Sequence, residues 1–437
     1  MVIEKDAIGM QERKKSAVTT STGKERFIPL EWLRFWLGFY IVIFHTLHHY
    51  GDVLPWAPYI TNIGFFSTST FFLLSGFLLA HVYLEARSGG GFEMRESSRS
   101  FLTKRISNLY PIHIGAILLT VMVLVVLPLL ALTPEDVDNT SFRFVIYDTN
   151  NDTPAESLFH WLDNRELLLA AVMNLTMTHA WNPYYLTFNA PSWSISALFF
   201  FYLTFPLLGP WLRGLRRPLP ALSLLNLIYL VPPVVVILTT SYGVPETGIL
   251  HRNPLIRLPE FLAGIVLCAL YHRRREAGLG LSSAMVGALM VLIVVEIVVA
   301  SWLLTGGKGS AAYYLLHNGL MLPAQLALLF LCVQLPSTGS ARWQRIASRL
   351  GGASLPMFAL HVPLYLIFSR VEMVLAGEPS LCAVGEWRAC FDAAGETSFA
   401  WYPLYLLLTV LFCVVFQEQF VVRVRQWLVA HLLPKQA

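Results

Sequence analysis

The sequence predicts an all-α protein, a polytopic membrane helical bundle with about ten transmembrane helices. Of its 437 residues, 55% are hydrophobic and only 13% are charged, and the mean hydropathy is +0.57. Apolar runs of about twenty residues recur along most of the chain, which is the length that crosses a bilayer as a helix. The basic residues collect in short segments between these runs, so the net charge of +4 indicates a membrane topology and no nucleic-acid partner.

The distribution of charge between the apolar segments predicts their orientation. The clusters Lys14-Lys15, Lys104-Arg105 and Arg273-Arg274-Arg275 fall on one side, whereas segment 132–165 on the other side is rich in Asp and Glu. Because Lys and Arg concentrate in cytoplasmic loops, we predict a multi-pass protein of the cytoplasmic (inner) membrane with both termini cytoplasmic. The predicted spans are roughly 30–50, 62–84, 106–131, 191–212, 221–241, 255–271, 283–304, 311–335, 352–375 and 401–424.

The chain divides into three predicted parts around these spans. Residues 1–26 are expected to form a disordered cytoplasmic tail, 27–425 a transmembrane domain, and 426–437 a cytoplasmic C-terminal tail. The apolar stretch 166–181 is too short to span a bilayer, so we predict an interfacial or re-entrant helix on the outer face.

The first span carries two ionisable residues, Arg34 and His45, and such groups in a membrane segment indicate a functional site. Eleven residues at about 100° each turn a helix through roughly 1100°, within about 20° of three full turns. Both side chains therefore project from one helix face, about 16 Å apart along the axis at about 1.5 Å per residue. A solvated arginine and a packed histidine would be the purely structural interpretation.

Histidines and cysteines allow two further interpretations. His45, His48 and His49 stand at helical spacing, but no carboxylate or cysteine at ligand spacing accompanies them, so we predict no metal site. Cys382 and Cys390 share the last outer loop, where an oxidising compartment would permit a disulfide.

Polar residues near the ends of other spans are further candidates. His81, Lys104 and Arg105 lie toward the inner surface, where snorkelling at the membrane edge is the structural alternative. Toward the outer half, Arg257 and Glu260 are three residues apart and could form a structural ion pair.

Near mid-membrane lie His361 and Glu296, neither with a sequence-adjacent partner. A neutral histidine bonded to a carbonyl group is the structural alternative for His361, and a protonated carboxyl group is the alternative for Glu296.

Taken in order, these motifs resemble the integral-membrane acyltransferase-3 family, bacterial enzymes that O-acylate glycans and other acceptors. The resemblance covers residues 27–425, nearly the whole chain. Its motifs are Arg34 with His45, Phe71-Phe72-Leu73-Leu74-Ser75-Gly76-Phe77, Lys104-Arg105 with Pro111, Pro191-Ser192-Trp193-Ser194-Ile195-Ser196 with Tyr202 and Pro206, Arg257-Leu258-Pro259-Glu260 through Gly264, and Leu360-His361-Val362-Pro363.

The resemblance implies acyl transfer from cytoplasmic acyl-CoA, with acetyl-CoA as the expected co-substrate and no permanently bound cofactor. The acceptor would be a hydroxyl of a glycan or lipid-linked saccharide on the outer side, with membrane lipid around the bundle. The oligomeric state and the acyl group stay open.

Roles follow from depth in the membrane. Arg34, Lys104 and Arg105, with His81 beside them, would bind the donor's phosphate groups at the inner end. His45 would act as general base or, in a ping-pong route, as the acylated nucleophile.

Other residues would support this chemistry. Trp193, Ser194 or Ser196 would donate to the developing oxyanion, and Glu260 or Glu296 would orient the His45 imidazole. Arg257 and His361 are further candidates.

A transporter or exporter of an acylated glycan is the alternative function, with His45 and Glu296 as a proton relay. We see no internal repeat, which disfavours transporter folds built from duplicated halves. A purely structural membrane subunit would leave the shared face of Arg34 and His45 unexplained.

Overall fold

Helices dominate the computed structural model, which describes residues 26–51, 53–130, 142–146, 159–241, 243–305, 310–394 and 397–433. The predicted N-terminal tail, apart from Arg26, and most of the acidic segment 132–165 lie outside these residues. The helices are α1 Ile28–Thr46, α2 Ala57–Thr61, α3 Gly64–Tyr83, α4 Ser98–Leu129, α5 Asn164–Leu175, α6 Trp193–Arg213, α7 Pro218–Thr239, α8 Glu246–Arg252, α9 Pro254–Glu276, α10 Ser283–Leu304, α11 Ala311–Leu315, α12 Leu322–Gln334, α13 Ala341–Gly352, α14 Ser354–Ala376, α15 Pro379–Ala383, α16 Trp387–Asp392, α17 Tyr402–Val415 and α18 Val422–Leu432.

Short elements complete the described structure. Two small antiparallel hairpins pair β1 Leu84–Ala86 with β2 Phe92–Met94, and β3 Phe144–Ile146 with β4 Phe159–Trp161. The 3-10 turns are Leu47–Tyr50, His179–Trp181, Ala190–Ser192 and Phe399–Trp401, and π turns occur at Leu316–Leu320 and Phe416–Val421.

The predicted polytopic helical bundle is confirmed, and each of the ten predicted spans contains helix. Within the described residues, nine helical segments are long and apolar enough to cross a membrane. The exception is the first predicted span, α1, where Glu31, Arg34 and His45 interrupt the apolar sequence and lower its hydropathy.

Two helix ends and one interruption illustrate how the helices differ from the predicted spans. Helix α4 begins at Ser98, before the predicted 106, because the Ser97 hydroxyl caps it by accepting from the Ser100 N–H at 3.2 Å. The last helix continues to Leu432, so the predicted tail 426–437 begins as helix. The predicted span 311–335 is broken at Asn318 and at Gly319, which has φ +124°.

A short helix predicted within 166–181 is present in part as α5, Asn164–Leu175. Asp163 caps its N-terminus in a capping box with Glu166. Leu168 and Leu169 are exposed, which fits a helix lying at a membrane interface.

In the last predicted outer loop, Cys382 and Cys390 form a disulfide with a Cα–Cα distance of 5.4 Å.

Helices α3 and α9 touch through their backbones. A Cβ atom added to Gly76 would lie 2.0 Å from the Phe261 carbonyl oxygen, and one added to Gly264 would lie 1.9 Å from the Leu73 carbonyl oxygen. Small residues permit such close approach of membrane helices. Ser69 contacts Arg257 near the start of the two helices, and His81 contacts His272 near their ends. Helices α3 and α9 therefore run parallel.

We expect Gly76→Ala to lower the free energy of unfolding by about 1–3 kcal/mol, because the added methyl group overpacks a backbone contact. The matched control is Gly287→Ala in α10, where no described heavy atom lies within 4 Å of the added Cβ atom. Thermal unfolding of both variants in detergent checks the expectation. Equal stability of the two variants would contradict the assigned importance of the α3–α9 contact.

Candidate functional site

A cavity of about 210 Å³ lies where the start of α1, the end of α3 and the first part of α4 meet. We call it the basic cavity, because its wall contains three guanidinium groups and one carboxylate. Its lining residues are Arg26, Phe27, Leu30, Glu31, Arg34, Leu78, Leu79, His81, Val82, Tyr83 and Arg105. The structure therefore brings together three residues that the sequence predicted for donor binding: Arg34, His81 and Arg105.

The guanidinium groups of the basic cavity are held differently from one another. Glu31 accepts from Arg26 and from Arg34, both at 3.3 Å. Arg105 donates to the Tyr83 hydroxyl, and its guanidinium carbon lies 4.7 Å from the centre of the Tyr83 ring. The buried Nε of Arg105 has no hydrogen-bond partner among the described residues.

Lys104 does not share this cavity, which corrects the predicted grouping. Its ammonium group pairs with Glu96 in the loop before α4, and Lys104 is not among the lining residues described above. Consecutive helical residues point about 100° apart. Since Arg105 faces the cavity, Lys104 is directed elsewhere.

His45 lies near the other end of α1, on the same uninterrupted helix as Arg34. Its half-buried ring stacks on His361 with centroids 4.8 Å apart and planes 28° apart. The Phe44 ring lies edge-on at 4.5 Å. His48 and His251 are close enough to interact electrostatically with His45, so several imidazoles surround this position.

His361 presents an unpaired nitrogen beside His45. Its Nδ1 lies 2.7 Å from the Met357 carbonyl oxygen, and a carbonyl only accepts, so Nδ1 carries the hydrogen. The side chain is fully buried, and its Nε2 has no partner in the part of the chain that the structure describes. His361 therefore makes the carbonyl contact that was its structural alternative, and its second nitrogen is left as an acceptor.

The Trp193–Ser196 motif divides between two environments. The Ser196 hydroxyl donates to the Met177 carbonyl at 2.7 Å and accepts from the Ala180 N–H at 3.1 Å. Its one hydrogen is engaged in tying α6 to the preceding loop, which corrects the expectation of an oxyanion donor. Ser194 likewise donates to the Pro191 carbonyl at 3.0 Å.

The Trp193 ring, by contrast, faces ionisable side chains. It lies edge-on to His251 at 5.0 Å, and the Arg257 guanidinium is 5.9 Å from its centroid. Trp193 is thereby placed between the buried Arg257 and the imidazoles around His45.

Arg257 and Glu260 form the ion pair that was the structural alternative, with a separation of 3.0 Å and both side chains buried. Tyr229 donates to Glu260 at 2.7 Å, and Arg257 also donates to Ser69 at 2.7 Å. These contacts hold Glu260 at Arg257 and Tyr229, so the expected orienting contact with the His45 imidazole is not made by this carboxylate.

Glu296 is also engaged elsewhere. Its carboxylate accepts from the Ala324 N–H at 3.2 Å, which joins α10 to the first turn of α12. The contact satisfies a backbone donor that is free at a helix start. This placement supports neither the orienting role at His45 nor the proton relay of the transporter alternative.

Sequence reasoning missed three residues of these sites. Glu31 could have been found, because it precedes Arg34 by three residues, the spacing of a helical ion pair. Tyr83 and His251 carried no sequence signal, since each meets its partner only through packing between helices.

With this geometry established, comparison with known proteins identifies the class. The sequence profile of the acyltransferase domain family, Acyl_transf_3, matches residues 28–418. The chain belongs to this family of acyltransferases, as the resemblance predicted.

Individual relatives are similar to the chain over only part of its length. The chain is 28% identical over 243 residues to "Acyltransferase MdmB" of Streptomyces mycarofaciens, covering 52% of this chain and 51% of MdmB. It is 29% identical over 180 residues to "Protein 2 in picA locus" of Rhizobium radiobacter, covering 39% of this chain and 76% of that protein. The matched region thus spans about half the length of MdmB. No solved structure matches the chain.

We expect Ser196→Ala to lower stability by about 1–3 kcal/mol, because it leaves a buried carbonyl and a buried N–H unsatisfied. The kcat of the folded protein for acyl transfer should change by only a few-fold, whereas losing an oxyanion donor typically costs about 10²–10³. Ser223→Ala is the control, since this exposed serine also donates to a helical carbonyl, at 3.3 Å. A large kcat loss with unchanged thermal stability would restore Ser196 as an oxyanion donor.

Proposed function

We propose that the protein is a membrane O-acyltransferase that moves an acyl group, in the first instance acetyl, from cytoplasmic acyl-CoA to a hydroxyl of a glycan or glycolipid on the outer side of the cytoplasmic membrane. The observation that carries this proposal is the position of Arg34 in the wall of the basic cavity and of His45 on the same helix. About 16 Å of helix separates them. Membership of an acyltransferase family supports the reaction type.

The basic cavity suits part of the donor. Its volume of about 210 Å³ is below the roughly 300–1,000 Å³ of sites that enclose whole drug-sized ligands. Guanidinium groups bind phosphate through paired, charge-assisted hydrogen bonds. Arg105 is the better-placed contact, because Arg34 already pairs with Glu31.

The thioester would then lie near His45. A pantetheine arm is thin and largely neutral, so it can enter the bundle while the charged end stays at the basic cavity. Its length is of the same order as the spacing along α1. This geometry separates phosphate binding from proton transfer.

At His45 the imidazole removes the proton of the acceptor hydroxyl while that oxygen bonds to the thioester carbonyl carbon. The carbon–sulfur bond then breaks, and the imidazolium returns the proton to the CoA thiolate, so no net proton is consumed. A route through an acyl-imidazole would use the same residue in two displacement steps.

His361 is the residue that orients His45 in this proposal. The two rings stack at 4.8 Å, and the hydrogen bond from Nδ1 to Met357 fixes the His361 ring. An imidazole therefore takes the orienting role that the sequence suggested for a carboxylate.

We expect His45→Gln to reduce acyl transfer by about 10²–10⁴, because glutamine keeps hydrogen-bonding capacity but not basicity. Purified protein in detergent, with acyl-CoA and a membrane extract as acceptor source, gives the rate as thioester consumption. Binding of CoA should persist.

The matched control for this variant is His48→Gln, an exposed histidine three residues further along. It should retain most activity. A His45→Gln protein that binds CoA and keeps most of its rate would show that His45 only packs or positions.

We expect Arg105→Ala to raise the KM for acyl-CoA about ten- to hundredfold, which corresponds to losing a charged hydrogen bond worth about 1.5–3 kcal/mol. Lys104→Ala is the control, because its ammonium group pairs with Glu96 instead of lining the cavity. Its KM should change less than about threefold. A kcat collapse in Arg105→Ala at unchanged KM would place Arg105 in the chemistry or the fold.

The same assay tests the side from which the donor enters. Inside-out membrane vesicles should consume added acyl-CoA, and sealed right-side-out vesicles should not, because the basic loops predict a cytoplasmic donor site. Consumption only by right-side-out vesicles would reverse the proposed topology.

A further inference from the structure

Three potential metal ligands converge toward the C-terminal ends of α3 and α9, past the close contact of the two helices. His81 is on α3, and Cys268 and His272 are four residues apart on one face of α9. One ligand atom from each lies within 4.8 Å of the others. His81 Nδ1 and His272 Nε2 are 3.1 Å apart. We propose that these residues form a binding site for a zinc-type divalent metal ion.

The geometry is close to what such an ion requires. Ligands of tetrahedral zinc lie about 2.0–2.3 Å from the metal, which places them roughly 3.3–3.6 Å from one another. The two histidine nitrogens are already at nearly this separation. In the proposed site the side chains rotate so that all three atoms, now within 4.8 Å of one another, share a common centre, and a water molecule completes the coordination.

The donor types select the class of metal. Two imidazole nitrogens and one thiolate favour zinc and similar transition metals, whereas magnesium and calcium prefer carboxylate oxygens. Arg26, Arg34 and Arg105 line the neighbouring cavity. These positive charges disfavour a hard cation that would be held by charge alone. Metal binding here therefore depends on bonds to nitrogen and sulfur.

The surroundings of the three residues support a built site. His81 and Cys268 are 4% and 0% exposed, and Arg213 is close enough to Cys268 to interact with it electrostatically. A cation beside a cysteine favours the thiolate, the form that binds metal. The Phe27 ring packs against His81 at 4.9 Å. His81 also lines the basic cavity, which provides an entry path.

Cobalt(II) is the probe for this site, because a thiolate bound to it gives a charge-transfer absorption band. The experiment uses the full chain in detergent without a polyhistidine tag, which would itself bind cobalt. Cys382 and Cys390 are joined in a disulfide, so among the described residues the cysteines outside a disulfide are Cys268, Cys332 and Cys413. We expect the band in the parent protein, and added zinc should abolish it.

Variants assign the band to the proposed ligands. It should disappear in Cys268→Ser and persist in Cys332→Ser, the matched control in α12. His272→Gln should weaken cobalt and zinc binding at least about 10- to 100-fold, since losing even a partner of a metal ligand costs that much.

Three results would overturn the proposal: no band in the parent protein, a band that survives Cys268→Ser, or unchanged affinity in His272→Gln. Gel filtration shows whether the buried Cys268→Ser variant is folded. If it is not, the half-buried His272→Gln variant decides alone. Retained affinity there would mean that the two histidines form only a hydrogen bond between helices.

Discussion

The bundle depends on the direct backbone contact between α3 and α9. Lipid tails are as apolar as side chains, so membrane helices associate largely through close packing of small residues. The carbonyl oxygens of Phe261 and Leu73 occupy the spaces that side chains at Gly76 and Gly264 would fill. Because the two helices are parallel, this contact also fixes which polar residues meet toward each end of the pair.

Toward one end of the pair, the contact places a buried charge next to a broken helix. Arg257 is 2% exposed and needs partners, since an unpaired charge is very costly inside a bundle. The break at Leu316–Leu320 lets the His317 carbonyl accept from Arg257 at 2.7 Å. The broken helix and the buried ion pair with Glu260 therefore stabilise each other.

Helix α1 joins two environments of different chemistry. Arg34 lies in a cavity of ion pairs, where Glu31 and Arg105 set the local charge. His45 lies among rings, with Phe44 and His361 in contact. A charged group of a substrate is suited to the first environment and proton transfer by a neutral imidazole to the second. This division is the basis of the proposed separation of donor binding from proton transfer.

The sequence by itself determined the class, the spans and the shared face of Arg34 and His45. These features depend on composition and on the 3.6-residue period of a helix, which act between residues close in the chain. The Arg257–Glu260 pair was predictable for the same reason, as residues of one helical turn. Glu31 belongs with them, because it precedes Arg34 by one helical turn.

Only the tertiary structure decided how these helices share their polar groups. Lys104 and Arg105 are adjacent in sequence but lie in different surroundings, because the helix rotation directs only Arg105 into the cavity. The Ser196 hydroxyl is engaged by a loop whose path no local pattern predicts. His81 and His272 are 191 residues apart in the chain. Their meeting depends on the packing of two helix backbones, which periodicity along one segment cannot encode.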